Sequence, residues 1–253
     1  MKKILTTLLM FFCVANVFSQ FEKYHYYYGR FSAKGMNING KVKKLTETEV
    51  YLDEYGDVDD TEQKIKYEYE FDKSGNLINT TTTVLGQSPS TYYYNYFEGK
   101  ISSITNGYDY SKENFYYSPS SITIKTSKGK VDQVQSLSNG RISEIVFYSQ
   151  RKENEGKISY KCNYEYNKQW QIKKGTFFMD LTTTFETYEY NKQGDIEKLE
   201  KYDRYGKLDW IDAYKYNYDN NKNWTKLTMA HYSPGDDKED YLYSERTRIY
   251  EFY

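Results

Sequence analysis

Few residues in this chain have a type and a spacing that could support catalysis. The sequence contains two histidines, His25 and His231, which lie far apart in the chain. Neither belongs to a Ser/His/Asp arrangement or to a His-x-x-x-His metal motif, so an ordinary surface or strand role is favoured for both. The 36 acidic residues are too many for a catalytic pair of carboxylates to be singled out. The sequence therefore predicts no catalytic residue, no cofactor and a protein that is not an enzyme.

Two other features could carry chemistry, but simpler interpretations are favoured. Cys162 alternates with Tyr160 and Tyr164 on one face of a predicted strand, which is typical of a small buried hydrophobic residue rather than a nucleophile. An acidic turn could supply oxygen ligands to Ca²⁺, but it lacks the EF-hand spacing, so a solvated loop is favoured and no metal site is predicted. The aspartates of this turn are Asp53, Asp57, Asp59 and Asp60.

The three tryptophans are the best candidates for ligand binding. Trp170, Trp210 and Trp224 each fall at or just after a predicted turn, where an aromatic ring can be exposed. An exposed ring can stack on a sugar ring or on a partner chain. The 32 tyrosines are better explained by structural ladders, because cross-strand aromatic pairs are a normal source of sheet stability.

A repeated unit positions these residues. From Gly40 to the C-terminus, each copy contains a Tyr-x-Tyr strand, an Asx-x-x-Gly turn and a second strand that opens apolar-x-x-apolar. Asp or Asn at the first turn position can accept a hydrogen bond from the backbone two residues on. Glycine three residues later adopts the positive φ of a type I hairpin with a bulge. The clearest predicted hairpin turns are Asp53 to Gly56, Asp72 to Gly75, Asn191 to Gly194 and Asp203 to Gly206.

The apolar residues that follow each turn are three apart, as at Ile142 and Ile145. This spacing places two side chains on opposite faces of a strand, so either both faces are buried in places or the strand is bulged just after the turn. No segment shows sustained helical periodicity with caps. Residues 40–253 are therefore predicted to form one all-β domain after a lead-in over residues 20–39. We expect a repetitive antiparallel β-hairpin meander with sequential neighbours paired, forming an elongated or curved open sheet rather than a closed barrel.

An open sheet leaves its first and last strands with an unpaired edge that another strand could join. The chain ends in the aromatic-rich segment Ile249 to Tyr253. We predict that this segment is paired into the sheet, beside the strands around Tyr214 to Tyr218 or Lys226 to Tyr232, and is not a free docking tail.

The N-terminal residues 1–19 have the features of a cleaved secretory signal. Met1 to Lys3 is basic, Ile4 to Val17 is apolar, and the small residue Ser19 precedes Gln20. The apolar run is too short to span a membrane, and Cys13 does not lie in a lipoprotein box. The sequence therefore predicts a secreted or periplasmic protein without a lipid anchor. After cleavage Cys162 is the only cysteine, so no intrachain disulfide is expected.

Two segments carry a resemblance to a known family. The stretches Tyr69 to Leu77 and Tyr202 to Leu208 resemble the YD-repeat motif of Rhs-like proteins, and the general layout is similar to exported repeat proteins of Bacteroidetes. The similarity covers most of residues 40–253 and implies a repetitive β-sheet. In large family members such repeats form a shell around a toxin cargo, whereas this chain is too short for a closed shell and has no cargo-like C-terminal domain. A weaker similarity to MORN-type hairpin repeats is ranked lower.

Two functional classes follow from this sequence. One is a non-catalytic structural or interaction protein of the envelope or extracellular space, whose sheet edges and aromatic faces bind a protein partner. The alternative is a carbohydrate-binding module that uses exposed Tyr and Trp to bind a polysaccharide. A formal net charge of −1 gives no indication of nucleic-acid binding.

Overall fold

The structure, a computed structural model, describes residues 36–53, 57–58, 64–139, 141–169, 171–179, 182–235 and 242–253. The predicted signal peptide and most of the predicted lead-in lie outside these residues. The described chain forms sixteen strands and one short 3₁₀ turn, Lys152–Asn154. The strands are β1 (Val42–Tyr51), β2 (Ile65–Phe71), β3 (Leu77–Val84), β4 (Ser90–Phe97), β5 (Lys100–Asn106), β6 (Lys112–Tyr117), β7 (Ser121–Thr126), β8 (Val131–Ser138), β9 (Arg141–Tyr148), β10 (Ile158–Tyr166), β11 (Ile172–Met179), β12 (Thr182–Tyr190), β13 (Ile196–Tyr202), β14 (Leu208–Tyr218), β15 (Trp224–Tyr232) and β16 (Leu242–Phe252).

The strands form a closed barrel. Each strand pairs antiparallel with its neighbours in sequence, and β1 also pairs with β16 along a seam from Val42 and Phe252 to Tyr51 and Ser244. The predicted all-β antiparallel meander is confirmed, but the predicted open sheet is wrong. Twist and coiling accumulate from strand to strand, so a sheet of this length can curl until its edges meet. The unpaired N–H and C=O groups of the two edges then bond to each other.

The C-terminal segment is part of this seam. Tyr250 lies opposite Leu45 of β1, and the backbone N–H of Tyr253 donates to the carbonyl of Lys41 at 2.9 Å. The prediction that Ile249 to Tyr253 is paired into the sheet is confirmed. Its partner differs from the prediction, because β15 pairs with the earlier part of β16, up to Thr247, and the last residues run along β1.

The antiparallel order gives the barrel two ends. We call the end that carries the start of β1 and the end of β16 the terminal end; it also holds the turns that follow the even-numbered strands. The far end holds the turns that follow the odd-numbered strands. Among the described residues no helix is long and apolar enough to cross a membrane.

The hairpin turns have the predicted hydrogen bonds. In the turn between β2 and β3, Asp72 Oδ1 accepts from the backbone N–H of Ser74 and Asn76 at 2.8 and 2.9 Å. Gly75 has a φ of +84° and donates to the carbonyl of Asp72 at 2.9 Å. Where the repeat lacks glycine, between β14 and β15, Lys222 adopts a φ of +63° instead. The Asx side chain and one left-handed residue therefore define the turn.

A bulge follows the turn and resolves the two alternatives left by the three-residue spacing. Opposite β2, Leu77 pairs with Phe71 and Asn79 with Glu70, so Ile78 is an extra residue in β3. Similar register shifts follow the other repeat turns. Because of the bulge at the start of β9, Ile142 and Ile145 both point into the barrel and are almost fully buried.

Tyrosine hydroxyls connect neighbouring hairpins at the terminal end. In each case the hydroxyl donates to the carbonyl of the first residue after a turn, where the bulge has displaced the ladder. We call these contacts the tyrosine locks. They join Tyr96 to Leu77 (2.8 Å), Tyr166 to Ile142 (2.7 Å), Tyr190 to Ile172 (3.0 Å), Tyr216 to Ile196 (2.7 Å) and Tyr250 to Trp224 (2.7 Å).

The inner face of the barrel is packed with apolar side chains. They form three clusters: Met36, Ile38, Val42, Leu45, Tyr69, Phe71 and Leu77; Ile142, Ile145, Phe147, Cys162 and Phe177; and Ile101, Ile104 and Ile124. The first cluster includes two residues of the segment Met36–Asn39, which we call the N-terminal strap. Asn37 and Asn39 of the strap also bond to the turns after β12 and β14. The strap thus spans the terminal end.

Four charged side chains line the inner face of the seam, and the two glutamates among them are buried. Arg248 Nε donates to Glu47 Oε2 at 2.8 Å, and Arg246 Nη2 donates to Glu49 Oε1 at 2.9 Å. We call these residues the seam quartet. Buried charges are tolerated when they are paired and hydrogen-bonded in this way, and the pairing fixes which residues of β1 and β16 lie opposite each other.

Candidate functional site

A group of polar and aromatic side chains gathers inside the barrel at its far end. Glu186 of β12, Lys201 of β13, Trp210 and Asp212 of β14 and His231 of β15 occupy inward positions on adjacent strands. The registers pair Lys201 with both Glu186 and Trp210, and Asp212 with His231. We call these five residues the rim cluster. Four strands are needed to bring them together, and no two of them are neighbours in sequence.

Lys201 and Trp210 form a cation–π pair across the hairpin of β13 and β14. The Lys201 Nζ atom lies 4.0 Å from the centroid of the indole ring. Such a pair contributes about 0.5–2 kcal/mol, depending on how far it is removed from water. Burial lowers the pKa of Lys201, and the nearby carboxylates of Glu186, Asp209 and Asp212 partly oppose that shift. The ammonium is thereby held against one face of a half-buried aromatic ring.

Asp212 and His231 form a second pair, across β14 and β15. The His231 Nδ1 atom lies 2.6 Å from Asp212 Oδ1. The Asp212 side chain is 10% exposed and that of His231 is 45% exposed, so the carboxylate lies beneath an accessible imidazole. A buried carboxylate that bonds one ring nitrogen fixes the orientation of the ring. The other ring nitrogen, Nε2, can then be presented to solvent.

Aromatic rings continue along the rim from this pair. The centroid of the Trp210 ring lies 5.7 Å from that of His231, and the centroid of the Tyr243 ring lies 5.9 Å from His231 on the β16 side. Tyr51, at the end of β1, contacts Tyr243 edge to face at 5.4 Å. An arc of four rings therefore borders the polar groups.

Glu186 and Tyr188 form the floor of the rim cluster. The Tyr188 hydroxyl donates to Glu186 Oε2 at 2.7 Å, and both side chains are buried. Burial raises the pKa of Glu186, although the bond from Tyr188 and the charge of Lys201 act in the opposite direction. A carboxyl with a raised pKa, an amine with a lowered pKa and a half-buried indole at an open end are features of ligand-binding sites.

The structure places the three predicted tryptophans in different environments. Trp210 is half-buried in the rim cluster. Trp224 is 7% exposed, and the Arg248 guanidinium lies 3.6 Å from its ring centroid, so it offers no open face for stacking. Trp224 occupies the first position after a turn, which the bulge directs into the interior. Trp170 lies outside the described residues; its neighbours Gln169 and Gln171 line a polar cleft of about 630 Å³ at the terminal end.

The other candidate residues have structural roles. Cys162 is buried as predicted, and burial raises the pKa of its thiol to about 12, which keeps it protonated. In the acidic turn Asp53 Oδ1 accepts from the backbone N–H of Asp57 at 2.9 Å, while Asp59 and Asp60 lie outside the described residues. No group of three His, Cys, Asp or Glu side chains within the described ranges could hold a metal ion.

Sequence reasoning missed four of the five rim residues. His231 was expected to be an ordinary strand residue, and its pairing with Asp212 depends on the register of β14 and β15. Lys201 and Glu186 are single charges among many in the sequence. The alternation of Trp210 with Asp212 on one strand face was the only visible signal.

Comparison with known proteins supports the fold. No protein-family model and no curated protein matches the chain. A porin-like protein from Bacteroides uniformis is similar in structure at 11% identity, with 84% of this chain and 99% of that chain covered and a TM-score of 0.60.

Two other structures match with lower scores. A porin-like protein from Bacteroides vulgatus matches at 11% identity, 83% and 98% coverage and a TM-score of 0.40. A TcdB2–TccC3–Cdc42 complex matches at 12% identity and a TM-score of 0.32, over 72% of this chain but 12% of that chain. The chain thus shares its fold with the Bacteroides uniformis protein. At 11% sequence identity, this similarity concerns the fold alone.

Proposed function

We propose that this protein is a non-catalytic, exported interaction protein of the cell envelope or extracellular space, with a barrel wall that faces water. One observation carries the proposal: charged pairs lie on the outer face at four places along the wall, on β1 and β2, on β9 and β10, on β13, and on β15 and β16. They are Lys44–Glu68 (2.7 Å), Lys226–Glu245 (2.6 Å), Lys161–Glu144 and Lys198–Glu200. Export rests on the signal predicted over residues 1–19.

The outward direction of these pairs follows from the alternation of strand residues. Leu45, Glu47 and Glu49 of β1 are buried, so Lys44 points outward together with its partner Glu68. A Lys at the midplane of a lipid-facing barrel wall costs about 2–4 kcal/mol. In water the same pairs contribute about 0–1 kcal/mol each. The outer wall is therefore suited to water rather than to lipid.

Closure changes how such a protein can bind a partner. The open sheet would have offered free strand edges, whereas β1 and β16 bond to each other along the seam. A partner strand therefore cannot add to an edge of the sheet. A partner must instead contact the loops and the two ends of the barrel. We propose an envelope or extracellular protein as the partner, bound at the far end, where the longest loops lie. The YD-repeat resemblance stays a prediction.

Fractionation and conductance test the water-facing wall. We expect the exported protein to be recovered without detergent and to produce no conductance when it is added to planar lipid bilayers. A matched variant with Lys44→Leu and Glu68→Leu should be less soluble, because it creates an apolar patch on the wall. Recovery only with detergent, together with stepwise conductance, would contradict the proposal.

A second candidate, carbohydrate binding, is favoured by a specific observation. Trp210 is half-buried at an open end of the barrel, beside a carboxylate and an accessible imidazole. Carbohydrate sites need an aromatic surface and a few fixed polar groups, and the rim cluster offers both. A glycan array probed with the exported protein tests this candidate. Signals on no glycan would contradict it.

A further inference from the structure

We infer that the rim cluster binds a single uncharged pyranose ring at the end of a glycan chain. This inference rests on the carbohydrate-binding candidate and names its ligand. Trp210 supplies the stacking surface and His231 the outer hydrogen-bonding group. Asp212 is a positioning residue that acts through His231.

The stacking surface is the open part of the Trp210 ring. Lys201 Nζ lies 4.0 Å from the ring centroid and covers one face. The His231 ring lies 5.7 Å from the indole centroid and is inclined by 53° to it, so the two rings are not stacked in parallel. The apolar C–H face of a pyranose can pack against such a surface, which is held rigid by its neighbours.

Hydrogen-bonding groups stand beside this surface. Asp212 holds His231 through Nδ1, which leaves Nε2 of an imidazole that is 45% exposed to meet a hydroxyl. Asp212 Oδ2 is a further acceptor, and Lys201 contributes a donor. A sugar hydroxyl both donates and accepts, so it can match acceptor and donor groups placed side by side.

The charges around the site favour an uncharged ring. A sugar carboxylate would approach Asp212, Glu186 and the neighbouring Asp209, and these groups would repel it. A sugar ammonium would approach Lys201, which is already held at the indole face. The ammonium of Lys201 partly offsets these carboxylates, which weakens the attraction of the cluster for a cationic sugar.

The depth of the site limits the ligand to a chain end. Glu186 and Tyr188 are buried directly beneath the cluster and bond to each other, so the packed interior stops a chain from passing through. A ligand can enter only from the far end. One terminal ring therefore fits the cluster, and the rest of the glycan extends into solvent.

Titration calorimetry with defined sugars tests the inference. The probes are lactose, maltotriose and cellotriose as uncharged ligands, digalacturonate as an acid and glucosamine as a cation. We expect at least one uncharged ligand to bind at least tenfold more tightly than both charged ones. Trp210→Ala should weaken that binding at least tenfold, and Trp210→Phe should weaken it less. Asp212→Asn should weaken binding, and Asp212→Glu should restore part of it.

Tyr108→Ala is the matched control, because Tyr108 lies in a far-end turn away from the cluster and is 83% exposed. Its binding should equal that of the parent, and melting curves of all variants exclude unfolding. Binding of an acidic or cationic sugar that depends on Trp210 would overturn this inference and leave the carbohydrate candidate standing. Binding of no sugar, or equal losses in Tyr108→Ala and Trp210→Ala, would overturn both.

Discussion

At the terminal end of the barrel, Asx turns with the same hydrogen bonds follow β2, β10, β12 and β14, and five tyrosine locks join neighbouring hairpins. At the far end the described residues repeat these Asx bonds at Asp53 and Asp203, and the other connections differ from them. The longest connections, residues 52–64, 149–157 and 233–241, all lie at the far end. The titratable groups of the rim cluster also gather there. Loops can vary in sequence and length without disturbing the strands that hold them. The difference suggests that one end maintains the barrel and the other is available for binding.

The largest effect on stability should come from removing the contacts that the end of β16 makes at the terminal end. Deletion of residues 249–253 removes the lock of Tyr250 and the bond from the Tyr253 hydroxyl to the carbonyl of Phe71. It also leaves the start of β1 without its β16 partner, while the pairing with β2 on the other side remains. We expect a lower melting temperature and association through the exposed edge. Thermal melting and light scattering measure both, and an unchanged, monomeric truncation would show that the seam does not need these residues.

Arg248→Ala should have the next largest effect. It leaves Glu47 without its 2.8 Å partner in the barrel interior and removes the cation from the Trp224 ring. Breaking a buried pair in this way costs about 3–5 kcal/mol. Lys226→Ala, which removes an outer pair with Glu245, is the control and should cost about 1 kcal/mol or less. Equal midpoints of urea unfolding for the two variants would contradict the importance of the seam quartet.

A single tyrosine lock should contribute less. Tyr216→Phe removes the 2.7 Å bond to the carbonyl of Ile196 but keeps the ring, so the free energy of unfolding should fall by about 1 kcal/mol. Tyr205→Phe, in an exposed far-end turn, should change it by less than about 0.5 kcal/mol. Urea unfolding compares the two. If both substitutions had the same effect, the distinction between the ends would not hold for these hydroxyls.

The smallest effect on the free energy of unfolding is expected at Glu186, because Tyr188 and Lys201 partly stabilise its charge. This effect depends on pH. Its folded-state pKa is raised by burial, so the folded protein binds more protons than the unfolded chain between the ordinary value of 4.5 and the raised pKa. Stability should therefore fall as the pH rises through that window. Glu186→Gln should remove this loss of stability. The variant should be as stable as the parent protein below pH 4.5 and more stable than it above the raised pKa. The exposed Glu189→Gln is the control, and the same pH dependence in both variants would contradict the assignment.

Local features could be predicted from the sequence because they depend on a few adjacent residues. The Asx turn at Asp72 and the burial of Cys162 follow from residue type and spacing, whereas the three-residue apolar spacing left the bulge as one of two alternatives. The closure of the barrel could not be predicted, since it depends on the curvature of the whole sheet and joins β1 to β16 across the full length of the domain. Trp224 was misplaced for a local reason: the bulge that follows its turn rotates the ring inward.

The rim cluster was harder to predict than the turns for a related reason. Trp210 could be chosen from its type and its place after a turn. Its neighbours Lys201 and His231 are set by the registers of two separate hairpins, and those registers depend on bulges and loop lengths. A shift of one residue in the register of either hairpin would turn the side chains of the shifted strand over, and Lys201 or His231 would then point to the outer face. Residue type alone therefore identifies one member of the site but not its partners.

The seam has a consequence for how the chain folds. All other strand pairs join neighbours in sequence, so they can form one after another at low entropic cost, whereas β1 and β16 must meet across the whole domain. We therefore expect the seam to close last. Until it does, the edges of β1 and β16 are exposed, and the β16 of a second molecule could occupy the place of the first. Exchange of the last strand between copies is thus the misassembly to which this fold is most open.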